Sequence, residues 1–163
     1  MTMQTPQMRA LTKPQSYVFQ LLMSMVLTAC TAMNTAASSC PVTEPAWALP
    51  PEDSAVQDSP AYGYYFVNED RSMWASAWWT KQEENYLRAG EDIKVGWFRP
   101  GGAELEITGQ RLDGKAAALE AHIPCCYPTR FQATGLVFPT DGCWEVTARA
   151  ENRKLSFVVW VEP

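Results

Sequence analysis

From about residue 62 onward, apolar and polar positions alternate with a period of two in several short runs. In "EDIKVGWF", Ile93, Val95 and Trp97 share one face while Lys94 and Gly96 lie on the other, the pattern of a half-buried strand. "AELEITG" sets Leu105 and Ile107 against Glu104, Glu106 and Thr108, and "ALEAHI" sets Leu119, Ala121 and Ile123 against Glu120 and His122. "GLVF" follows, and then "CWEVTARA", whose inner row is expected to be Trp144, Val146 and Ala148. "ENRK" turns the chain into "LSFVVWVE", with Leu155, Phe157, Val159 and Val161 on one face. Earlier strands are predicted near Tyr64 to Val67 and Met73 to Trp79, and Asp113-Gly114 predicts a tight hairpin. "KQEENYLRAG" allows at most a single helical turn before Gly90. Seven or eight short strands with frequent turn signals predict an all-β fold, an immunoglobulin-like antiparallel β-sandwich.

The first residues follow another pattern. Arg9 and Lys13 precede the apolar run "YVFQLLMSMVL", and no acidic residue occurs before Glu44. That is the layout of a signal peptide, and the run is shorter than the roughly 20 residues a membrane span needs. It ends at Leu27-Thr28-Ala29-Cys30, which resembles a bacterial lipobox, with Cys30 as the residue to be lipidated. A diacylated cysteine whose new amino group is also acylated carries enough chains for stable anchoring. The expected organisation is a lipoprotein signal peptide over 1–29, a Pro/Ser/Thr/Ala-rich tether over 30–61, and the sandwich over 62–163. Pro41, Pro45, Pro50, Pro51 and Pro60 favour an extended spacer, on which Trp47 is a possible anchor point to the domain.

Charge narrows the partners. The chain carries a formal charge of −5, and loss of Arg9 and Lys13 with the signal would make it −7. Nucleic-acid binders carry basic patches, so nucleic acid is not an expected partner. The expected address is extracytoplasmic and membrane-anchored, on the cell surface or the periplasmic face.

"FPTDGCWEVTARAENRKLSFVVWV" resembles the last two strands of bacterial immunoglobulin-like domains. More narrowly, "CPVT" at Cys40 to Thr43, "GQRLDG" at Gly109 to Gly114 and "GCWEVTARA" resemble a set of uncharacterised bacterial secreted lipoproteins. The resemblance implies a fold and an address, with no activity to carry over. It also implies cysteines matching Cys40 and Cys143, and the pattern usually lacks the adjacent pair Cys125-Cys126.

With Cys30 set aside, Cys40, Cys125, Cys126 and Cys143 are disulfide candidates in an oxidising compartment, and three pairings are open. A bond between neighbours is strained, because Cα atoms about 3.8 Å apart fall below the usual disulfide window of about 4.4–6.8 Å. The crossed pairings avoid that strain, and the resemblance favours Cys40 with Cys143. A different reading makes "HIPCC" a metal or thiol-redox centre built on His122, Cys125 and Cys126. Against it, zinc sites favour spacings such as Cys-x-x-Cys, and His122 falls on a polar face beside Glu120.

Catalytic signals are weak. One histidine and no Gly-x-Ser-x-Gly give a serine triad little support. The acidic pairs Glu83-Glu84, Glu91-Asp92 and Glu104/Glu106 read as solvated strand edges. No cofactor and no catalytic residue are expected. Of seven tryptophans, Trp78, Trp79 and Trp160 are the candidates for a binding surface toward a glycan or protein ligand. The sequence reading is thus a non-catalytic envelope binding or structural module.

Overall fold

The computed structural model describes residues 39–51, 62–81, 86–125 and 127–163. The signal segment 1–29, Cys30 and Cys126 lie outside the described residues, as do tether positions 52–61 and the middle of "KQEENYLRAG". Among the described residues there are nine strands: β1 (Ala46–Ala48), β2 (Gly63–Val67), β3 (Trp74–Ser76), β4 (Asp92–Phe98), β5 (Leu105–Arg111), β6 (Glu120–His122), β7 (Phe131–Val137), β8 (Gly142–Ala150) and β9 (Arg153–Val161). They form two antiparallel sheets, ordered β1-β2-β3-β4-β7-β6 and β5-β8-β9. Read from β3 onward, the orders β3-β4-β7-β6 and β5-β8-β9 reproduce the ABED and CFG sheets of the immunoglobulin constant-type sandwich. The expected fold class is therefore present, with β1 and β2 added to one edge.

Alternation placed the inner rows correctly. Trp97, Trp144, Val95, Val146, Ala148 and Val161 have no solvent exposure, and Leu155, Phe157 and Val159 are buried with them. At the centre, Phe66 of β2 stacks on Phe157 of β9 across the two sheets, with ring centroids 4.0 Å apart and planes 4° from parallel. Such aromatic pairs contribute about 0.5–1.5 kcal/mol beyond the area they bury. Trp97 lies beside the same ring, 6.2 Å away, and its Nε1–H donates to Thr134 Oγ1 at 2.9 Å.

Three expectations are corrected. The strand count is nine rather than seven or eight, because Ala46–Ala48, read as tether, pairs with β2. Asp113-Gly114 forms no hairpin: β5 pairs with β8 and β6 pairs with β7, so the chain crosses between sheets there. Leu119 packs directly over Gly109, where an added Cβ would meet its side chain at 2.8 Å, and this closes the gap between the sheets. Finally, the predicted strand to Trp79 ends at Ser76 and gives way to a 3₁₀ turn over Trp78–Lys81. As the chain leaves the sheet, Ser76 Oγ accepts the Gly96 N–H at 2.7 Å in place of a backbone carbonyl.

The outer edge of β9 is met at several points. Asn68 Nδ2 donates to the Lys154 carbonyl, Thr43 N–H to Val158 O and Val158 N–H to Thr43 Oγ1. Nearer the C-terminus, Glu162 N–H donates to Leu87 O and Ala89 N–H to Glu162 O. An exposed edge strand invites pairing with other chains, and these contacts occupy part of its polar groups.

Candidate functional site

The three candidate tryptophans do not share a surface. Trp79 turns inward and packs beside Phe66, with centroids 6.1 Å apart. Trp78 lies on the outer face of the six-stranded sheet, where an added Cβ at Gly96 would meet its ring at 2.9 Å and Phe131 at 2.8 Å. Trp160 pairs with Cys143 on the outer face of the three-stranded sheet, with 45 % of its surface exposed. The sandwich core thus separates Trp78 from Trp160.

Two aromatic groupings escaped the sequence reading. Tyr65, Trp74 and Phe98 form a second buried cluster with Phe131. Their positions alternate with the inner rows of β2, β3 and β4, which places them on the outer face of the six-stranded sheet. The Arg71 guanidinium lies 4.6 Å above the Trp74 ring. The second grouping is a shelf at the β1–β2 edge, where Trp47 meets Tyr64 edge-on at 5.0 Å and stacks on Tyr62 at 6.3 Å. More than half of the Trp47 and Tyr62 surfaces reach solvent. Period-two alternation in "YGYYF" could have suggested the shelf, but Trp47 lies far earlier in the sequence than its partners Tyr62 and Tyr64.

Cys40 and Cys143 are joined by a disulfide, with Cα atoms 5.4 Å apart. This excludes both crossed pairings and agrees with the pairing that the resemblance implied. Cys125 is also disulfide-bonded, and its partner lies outside the described residues. Bonded in this way, Cys125 itself presents no thiolate to a "HIPCC" metal site. Among the described residues, no three His, Cys, Asp or Glu side chains converge as a metal site.

His122 has other company. Its Nε2 lies 2.8 Å from Glu120 Oε1 and its Nδ1 lies 3.4 Å from Asp92 Oδ2. Asp92 belongs to β4, and β7 lies between it and β6. Its carboxylate reaches His122 by crossing above Gly135, where an added Cβ would fall 2.1 Å from Asp92 Oδ1. The hydrogen bond to Glu120, and then that to Asp92, raise the His122 pKa above its usual 6.5. Lys94 shares this outer face and is exposed, opposite Gly135 in the register.

Because the folded-state pKa is raised, the stabilisation from charged His122 is complete below pH 6.5 and is lost as pH climbs through the higher folded value. His122 is the only histidine, so one set of imidazole resonances reports the titration. Its midpoint is expected above 6.5 by NMR, and Gly135→Ala is expected to lower it by pushing the exposed Asp92 carboxylate aside. A midpoint insensitive to Gly135→Ala would refute the cross-strand arrangement.

A cleft of about 740 Å³ opens at the end of the sandwich where β4 stops and β5 and β7 begin. Arg99, only 2 % exposed, is among its lining residues, and the sequence analysis had not singled it out. Arg99 Nε donates to Gln132 Oε1 at 2.8 Å, Nη1 to the Pro100 carbonyl at 2.8 Å and Nη2 to the Tyr127 carbonyl at 3.0 Å. Gln132, equally buried, passes its own amide to the Pro124 carbonyl at 2.8 Å. The pair therefore grips the loop bearing Cys125 on both sides. Desolvation pushes the Arg99 pKa below its usual value, but arginine remains charged in proteins.

No family model matches the chain, and no curated protein matches it. Among solved structures it is similar to that of a putative lipoprotein from Bacillus anthracis, at 15 % identity and a TM-score of 0.40, over 72 % of this chain and 87 % of that one. A likeness of that degree supports no conclusion about function.

Proposed function

We propose that the chain is an envelope lipoprotein, anchored through Cys30, whose immunoglobulin-like sandwich is a non-catalytic binding module. The Cys40–Cys143 disulfide carries the reading. Disulfides persist in oxidising compartments, and this one begins ten residues after a cysteine in a lipobox-like setting. The single histidine, His122, is held by two carboxylates and faces no hydroxyl or thiol partner in its hydrogen bonds. The sandwich instead offers exposed aromatics at its surface, on the Trp47–Tyr62 shelf, at Trp78 and at Trp160.

Expression in a bacterium with lipoprotein processing tests the anchor. The wild-type chain is expected in the detergent-rich phase after phase separation, and Cys30→Ser in the aqueous phase. Equal partitioning of the two would sink the anchoring. Binding is tested separately by glycan arrays and cell-wall pull-down, comparing Trp47→Ala, Trp78→Ala and Trp160→Ala with wild type. At least one variant should lose tenfold or more in retention, and unchanged retention by all three would count against an aromatic contact surface.

A further inference from the structure

The cleft at Arg99 contains a charge with no counter-ion among the described residues. Buried charges are ordinarily paired, because desolvating an ion costs several kcal/mol. Here the guanidinium meets three neutral acceptors, and no carboxylate among the described residues forms an ion pair with it. A guanidinium has five N–H groups, and these bonds use one on each nitrogen. One N–H on Nη1 and one on Nη2 remain.

We propose that this cleft binds a single carboxylate carried on an apolar group, with Arg99 as its anchor. Two guanidinium N–H groups match the two oxygens of a carboxylate, the arrangement that makes arginine a selective carboxylate receptor. The rest of the cleft suits the body of such a ligand: Ala103, Leu105, Ile123 and Tyr127 give it apolar walls. Its volume falls in the range of about 300–1,000 Å³ usual for small-molecule sites. Phosphate fits poorly, because Arg99 is the one basic residue among the described residues lining the cleft and the exposed Glu104, also in the lining, repels a second negative charge. The acid has two sources, a small organic acid or the C-terminal carboxylate of a peptide, and one chemistry serves both. This deepens the binding-module reading and rests on it. The anchor experiment reads Cys30 and the aromatic variants read the outer surfaces, so failure here is told apart from failure there.

The test is calorimetry on the full chain, prepared without reductant. The probes are 4-phenylbutyrate, its neutral amide, inorganic phosphate, and a short peptide ending in phenylalanine with a free or an amidated C-terminus. The acid is expected to bind at least tenfold more tightly than the amide, and phosphate should not compete. Glu104→Gln, an exposed change with little reason to disturb folding, should tighten the acid several-fold. Arg99→Lys should weaken it about tenfold or more, since lysine lacks the fork. If Arg99→Lys fails to fold, the acid–amide comparison and Glu104→Gln decide the matter. A free peptide that outbinds the acid identifies a chain terminus as the ligand, the reverse identifies a small acid, and either supports the proposal. Equal binding of acid and amide, displacement by phosphate, or no binding of any probe overturns it.

Discussion

Replacing Cys40 and Cys143 together by serine is expected to lower unfolding stability by about 2–5 kcal/mol. The bridge joins residues 103 apart, so reduction releases a very long loop in the unfolded chain. The chain-entropy account gives about 4.7 kcal/mol for a loop of about 100 residues, an upper figure for this bond. The folded state loses less, because the Thr43–Val158 hydrogen bonds and the β1–β2 pairing still hold the segment. Total stability of a domain this size is about 5–15 kcal/mol, so the loss is a large share. Urea unfolding of the double variant, followed by tryptophan fluorescence, measures it. A midpoint within 1 kcal/mol of wild type would mean that those contacts, and not the bond, fix the N-terminal segment.

The second large effect lies in the core. Trp97→Ala is expected to cost about 3–5 kcal/mol, the usual range for emptying a buried aromatic site. Trp97 has no exposed surface, and its ring borders Phe157, which already fills the space toward Phe66. Strands on both sides limit collapse into the cavity, so the upper half of the range is expected. Trp97→Phe separates packing from polarity. It retains most of the apolar contact but removes the indole N–H that donates to Thr134 Oγ1, a hydrogen bond worth about 1 kcal/mol. A Trp97→Ala loss under 2 kcal/mol would show that the core closes over the gap.

How far the fold was legible depends on how many faces of each strand are buried. In β5, β8 and β9 one face meets the core and the other meets water or polar neighbours, so alternation in the sequence reads directly as orientation. In β3 all three residues are buried, because an aromatic layer covers the outer face, and no period is left to see. β1 is three residues set between prolines, and its pairing with β2 outweighs its local composition. Asp113-Gly114 lies in a bend rather than a hairpin turn, and beyond it the chain crosses sheets, with Leu119 seated over Gly109. The candidate sites were less visible still. Arg99 meets Gln132 across two strands, and Asp92 reaches His122 over Gly135, contacts that no spacing along the chain announces.

The path of the Cys40–Cys143 bond also decides how the domain carries load. β8 is the middle strand of its sheet, held by β5 on one side and β9 on the other. Tension applied to the chain before Cys40 passes through the sulfur bridge into that strand. The hydrogen bonds at Thr43 and the short β1–β2 ladder lie beyond the bridge and are spared the pull. With the bridge reduced, the same pull would peel Thr43 from β9 and then unzip β1 one bond at a time.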